Sequence, residues 1–119
     1  MNSRIRSIGS AVAVSLLALS LSSCSAASVE GTWGEDGEGL PQLVLEADGT
    51  LNGTDGCNRL MGAWTQDGSA VDFGQVATTM MLCEGVDTWL SALVTGEVDG
   101  DTLTILDIDG NEIGTLAKQ

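Results

Sequence analysis

The dipeptide Asp-Gly punctuates this chain six times, at Asp36-Gly37, Asp48-Gly49, Asp55-Gly56, Asp67-Gly68, Asp99-Gly100 and Asp109-Gly110. Between short apolar runs it marks a hairpin, because a type I′ turn needs positive φ at both central residues. A chain turned so often leaves room for short strands and little for long helices. The runs Gln42–Ala47 and Thr50–Asn52 flank the second occurrence, Arg59–Thr65 and Ala70–Phe73 the fourth, and Thr102–Ile108 and Glu112–Leu116 the last. With an opening strand over Val29–Trp33, about seven strands are expected, mostly antiparallel. One segment departs from this rhythm. Val86, Trp89, Leu90, Leu93 and Val94 recur at helical spacing with Gly96 just beyond, which predicts a helix over Gly85–Thr95. The expected class is therefore α+β: a mostly antiparallel, hairpin-connected β-sheet with one α-helix packed against it. Trp33, Trp64, Phe73 and Trp89 fall in apolar periods and are expected in the core.

The first residues read as an address. Arg4 and Arg6 precede an uncharged run from Ile8 to Leu21. At about 14 residues this run is shorter than the roughly 20 that span a bilayer, and the pattern is that of a secretory signal peptide. It closes on Leu21-Ser22-Ser23-Cys24, which resembles the lipobox of bacterial lipoproteins. That resemblance implies a diacylglyceryl group on the Cys24 thiol and cleavage just before it. The alternative is an ordinary cut after Ala26 or Ala27, with Cys24 discarded. The expected organisation is a signal peptide over 1–23, a lipidated Cys with a short tether over 24–28, and one domain over 29–119. Two acyl chains offer more than about 20 methylenes at ~0.8 kcal/mol each, enough for near-permanent attachment to membrane lipid. The expected location is the extracytoplasmic face of the cell membrane.

Charge and composition narrow the chemistry. All 17 Asp and Glu residues follow Cys24, against two basic ones, Arg59 and Lys118. Such a surface repels phosphates, so nucleic acid is not an expected partner. The chain has no His, which excludes His-based triads and His-ligated metal sites. A domain this small with four large aromatics has little volume for a substrate cleft, so no enzyme activity and no cofactor are expected. The acidic C-terminal hairpin offers a cation-responsive alternative. Asp99, Asp101, Asp107, Asp109, Asn111 and Glu112 supply oxygens of the kind calcium prefers. Asp107-x-Asp109-x-Asn111 opens like an EF-hand loop, but Glu112 stands where Gly is required and Lys118 where Glu is needed. These acids read first as turn residues and solvated charge.

Cys57 and Cys83 form a natural disulfide pair in an exported protein whose Cys24 carries lipid. Closing a loop of about 26 residues contributes about 3.5 kcal/mol on the chain-entropy model. A two-Cys metal site and a reactive thiol are the weaker alternatives, since no His is present to join or activate either.

Around these cysteines lie Gly56-Cys57-Asn58-Arg59, then Gly62-Ala63-Trp64, then Thr78-Thr79-Met80-Met81-Leu82-Cys83. Together with the opening Gly31-Thr32-Trp33, these segments resemble the META domain (HslJ-like) family. Its members typically show a Gly-Cys-Asn, a nearby Gly followed by an aromatic, and a Thr-x-Met-x-Cys, here Thr79, Met81 and Cys83. Two positions depart from the pattern: Met80 stands where a basic residue is common, and Leu82 where a small one is usual. The resemblance spans Val29 to Leu116 and implies a compact α+β domain, often on exported or lipid-anchored bacterial proteins. It also implies a loose association with heat shock, antibiotic tolerance or motility, and no catalytic residues. Asn58 reads as a side chain that satisfies backbone groups at a tight turn. Arg59 reads as a partner for a neighbouring carboxylate. The expectation is a monomeric, lipid-anchored envelope module that binds or supports an unidentified protein or ligand.

Overall fold

A computed structural model describes residues 27–119. The segment expected to be a signal peptide lies, with Cys24, outside the described residues. Ten strands are present: β1 Gly31–Gly34, β2 Gln42–Leu45, β3 Thr50–Thr54, β4 Arg59–Ala63, β5 Thr65–Asp67, β6 Ala70–Asp72, β7 Ala77–Thr78, β8 Thr95–Asp99, β9 Thr102–Leu106 and β10 Glu112–Ala117. They form two five-stranded antiparallel sheets, in the orders β1-β2-β3-β4-β7 and β10-β9-β8-β6-β5. Asp48-Gly49, Asp55-Gly56, Asp67-Gly68, Asp99-Gly100 and Asp109-Gly110 each join consecutive strands, and each of these glycines has positive φ. At the β2–β3 turn, Asp48 Oδ1 accepts the Thr50 N–H at 2.9 Å. Asp36-Gly37 lies instead in the longer β1–β2 loop.

The architecture corrects the expected α+β class. Among the described residues there is no α-helix, and the predicted helix over Gly85–Thr95 is a single 3-10 turn at Trp89–Ala92. The apolar face was real: Leu90 and Leu93 are buried, and Trp89 packs against the core. Extended pairing takes over where a second helical turn would begin. Leu93 is already extended (φ −62°, ψ 136°), and Val94 donates to the Leu106 carbonyl at 3.0 Å while accepting from Phe73 N–H at 2.9 Å. Gly96, expected as a helix cap, lies inside β8 opposite Val71 and Ile105.

The expected strand Arg59–Thr65 also divides. Trp64 turns the chain from one sheet into the other, so that Thr65 pairs with Asp72 while Ala63 pairs with Thr50. The corner is pinned at both ends of the residue, since Trp64 N–H donates to Gly49 O and Nε1–H to Glu46 O, both at 2.9 Å.

Alternation puts one apolar residue in two toward the space between the sheets. Trp33, Leu43, Leu45, Leu51 and Leu60 come from the first sheet, and Val71, Leu103, Ile105 and Leu116 from the second, all buried with Val29, Phe73, Leu90 and Leu93. Trp33 Nε1–H donates to Val29 O at 2.9 Å, so its one polar atom is satisfied inside. Gly114 on β10 gives Trp89 its place, because a Cβ there would come within 2.5 Å of the indole ring.

The sheets meet along one seam. Trp33 and Lys118 form an antiparallel bridge, and Gln119 N–H donates to Thr32 O at 2.9 Å. Lys118 Nζ sits 4.9 Å from the Trp33 ring centroid and donates to Glu30 O at 3.0 Å. Near the first described residues, Gln66 accepts the Val29 N–H and donates to Ala27 O, both at 2.9 Å, which ties the chain to the domain at Ala27.

Two outcomes follow from this packing. Gly114→Ala should destabilise the domain by about 1–3 kcal/mol through displacement of the Trp89 ring, read by chemical denaturation. At the first hairpin, the Thr50 hydroxyl and then its backbone N–H hold the Asp48 carboxyl below its ordinary 3.8. That contribution is present above the ordinary value and is lost as pH falls through the lowered one. Carboxyl NMR should show a low Asp48 midpoint that rises toward 3.8 in Thr50→Val.

Candidate binding site around the Cys57–Cys83 bridge

The residues of the sequence motif converge where the β3–β4 turn meets the segment after β7. Cys57 and Cys83 are disulfide-bonded, with Cα atoms 5.8 Å apart. Asp55, wholly buried, organises the turn: its Oδ1 accepts N–H donors from Cys57 at 2.9 Å and Asn58 at 2.5 Å, and its own N–H donates to Asn58 O at 3.1 Å. Gly56 has φ +100°, and a Cβ there would meet the Gly39 carbonyl at 2.7 Å, so the β1–β2 loop closes directly over this turn. A residue with a side chain would be excluded on both counts.

Asn58 acts as a substitute strand partner. Its Oδ1 accepts the Met81 N–H and the Thr79 hydroxyl (3.0 Å), and its Nδ2–H donates to Met81 O at 3.3 Å. The carboxamide thus offers Met81 the same acceptor and donor that a neighbouring backbone would. Thr79 completes the connection: its hydroxyl oxygen accepts the Arg59 N–H at 2.9 Å and its own N–H donates to Arg59 O at 3.2 Å. The segment Thr79–Met81 is therefore held along β4 beyond the last regular β7 pair, Leu60 with Thr78.

Arg59 is exposed on the outer face of the first sheet, in a row with Gln42 and Thr54. With Val44, Asn52 and Met81 these side chains border an open groove of about 460 Å³. The expected carboxylate partner of Arg59 is not found: among the described residues its guanidinium makes no ion pair. Cys24 lies outside the described residues. Asp55 is the site residue that sequence reasoning passed over, since Asp55-Gly56 read only as one more hairpin signal. An Asp placed two and three residues before the N–H groups of Cys57 and Asn58 is itself an Asx-turn signature.

The acidic C-terminal hairpin engages its own backbone. Asp107 Oδ1 accepts N–H donors from Asp109 at 2.9 Å and Asn111 at 3.0 Å, and among the described residues no group of three or more metal-type ligands comes together.

A family model, the META domain, matches residues 18–119. The chain belongs to the META domain family. This is not a known enzyme family, and at family level membership suggests a non-catalytic, envelope-associated domain. No curated protein and no solved structure matches it.

Because the Asn58 carboxamide is buried and bonds across to Met81, Asn58→Ala should cost about 1–3 kcal/mol of stability and raise amide exchange at Met81 with the disulfide intact. Unchanged exchange at Met81 would show that Asn58 does not hold the segment.

Proposed function

We propose that this META domain is exported, acylated on Cys24, and held at the extracytoplasmic face of the cell membrane as a non-catalytic binding or support module in envelope stress or antibiotic tolerance. One observation carries the reading. Apart from the exposed Arg59 guanidinium, the polar groups of the family motif are engaged in holding a surface segment: Asn58 bonds Met81 and Thr79, Thr79 bonds the Arg59 backbone, and Cys57 bonds Cys83. None of these groups is left poised as an acid, base or nucleophile. Such an arrangement suits a surface that must keep its shape for a partner.

The lipid address is consistent with the way the domain starts. Val29 is buried and Ala27 is bonded to Gln66, and three chain steps separate Cys24 from that anchor point, a reach of at most about 11 Å. A domain with 17 acidic side chains at that distance is repelled by an anionic bilayer within a Debye length of about 8 Å. The module stands off the membrane on a short leash.

Cys24→Ala should release the protein into the medium or leave an uncleaved precursor, read by fractionation and intact-mass measurement. Normal processing with unchanged membrane retention would overturn lipidation. Crosslinking on intact cells should trap an envelope component. A chain that crosslinks to nothing from any face would remove the binding reading.

A further inference from the structure

Closure of the two sheets is one-sided. β1 and β10 meet at the Trp33–Lys118 bridge, which among the described residues leaves β5 and β7 as the free edges. Free edges present unpaired backbone donors and acceptors, and proteins blunt them with charge, proline or brevity. β5 is three residues long and ends on Asp67. The β7 edge is guarded by neither charge nor proline, since the stretch Phe73 to Cys83 contains neither, in a chain with 17 acids.

β7 itself spans two residues, but the motif prolongs its edge. Thr79 is hydrogen-bonded to Arg59, so antiparallel alternation directs the backbone of Ala77 and Thr79 toward β4, and Asn58 does the same for Met81. Alternation turns the N–H and C=O groups of Val76 and Thr78 outward, and we carry it past Thr79 to Met80 and Leu82, which flank the Met81 held by Asn58. The side chains of Met80 and Leu82 stand 90% and 101% exposed. Beside the first half of this edge runs a groove of about 860 Å³, bordered by Val76, Ala77, Leu93, Val94 and Ile108, with Asp107 at its rim. Ile108 is 80% exposed. Among the described residues, no Lys or Arg lines the groove.

We propose that the segment Val76–Leu82 is a docking edge that accepts an extended, positively charged strand of a partner protein by β-augmentation. The added strand pairs with the outward N–H and C=O groups of Val76, Thr78, Met80 and Leu82, lays alternate apolar side chains into the neighbouring groove, and sets its basic side chains against Asp107 and the acidic surface. The preference for a cationic strand over a second copy of this chain follows from charge, because two such acidic domains repel one another edge to edge. The disulfide and the Asn58 clamp acquire a purpose here: they keep the edge laid out before the partner arrives, which lowers the ordering cost of binding. This inference rests on the binding-module reading and names its surface.

The test uses the full-length chain and amide hydrogen exchange, with an alternating Lys-Val peptide of about eight residues as probe and its Glu-Val counterpart as control. The Lys-Val peptide should slow exchange at Val76, Thr78, Met80 and Leu82 by about tenfold, less at high salt, and the Glu-Val peptide should not. Thr78→Pro removes an outward donor without touching the β4 pairing and should abolish this protection. The double variant Met80→Lys with Leu82→Lys alters only exposed side chains and should weaken Lys-Val binding while leaving stability unchanged. Edge amides unmoved by Lys-Val, protection equal with both peptides, or protection that appears with protein concentration alone would each overturn the proposal. A partner crosslinked through Asn52 on the sheet face, with the edge amides unmoved, would remove this edge and leave the binding module standing.

Discussion

The seam between β1 and β10 is the constraint on which the rest of the molecule depends. Two short five-stranded sheets have four edges between them, and a domain of this size cannot cover all four with loops. Trp33 and Lys118 remove two of them at once. The indole fills the core with its N–H satisfied by Val29 O, while the ammonium lies over its ring and donates to Glu30 O. Lys118 is one of two basic side chains after Cys24, and it serves cohesion. That side is closed while, among the described residues, the opposite side is open, and the molecule acquires a polarity that no single strand possesses.

The family motif makes sense at that open side. Its parts are separated in sequence because they act across a gap: Asn58 lies at the start of β4, while Thr79, Met81 and Cys83 lie on the segment it holds. Asp55 sets the turn from within and Gly56 admits the β1–β2 loop above it. Bonds from side chain to backbone here replace the strand pairing that β7 is too short to supply. The result is a covalently and hydrogen-bonded support under a stretch of uncharged surface, in a protein otherwise covered with carboxylates.

Much of this was legible in the residues, and the failures have identifiable causes. Turns were readable because Asp-Gly chemistry is local: Asp48 bonds the N–H two residues on, and Gly49 takes the positive φ, whatever surrounds them. The disulfide partners followed from the number of cysteines once export was expected. The helix was not, because Val86, Trp89, Leu90, Leu93 and Val94 carry a burial pattern that a 3-10 turn followed by a strand can satisfy equally well. Competition from Phe73 and Leu106 for the backbone of Val94 decided it, and those residues are distant in sequence. The corner at Trp64 was hidden for the same reason, since Gly49 and Glu46 make it.

The sequence by itself determined where the chain turns, that Trp33 and Phe73 are buried, and which chemistries its composition excludes, because turn propensity, hydrophobicity and charge act through the residue and its near neighbours. That Trp64 and Trp89 are only partly buried was left to the fold. Tertiary structure alone decided that the strands divide into two sheets, that Asn58 stands in for a strand, and that one edge closes on Lys118 while the other stays open. Those outcomes depend on which backbone groups find partners across long stretches of chain, and hydrogen-bond satisfaction is a property of the whole fold.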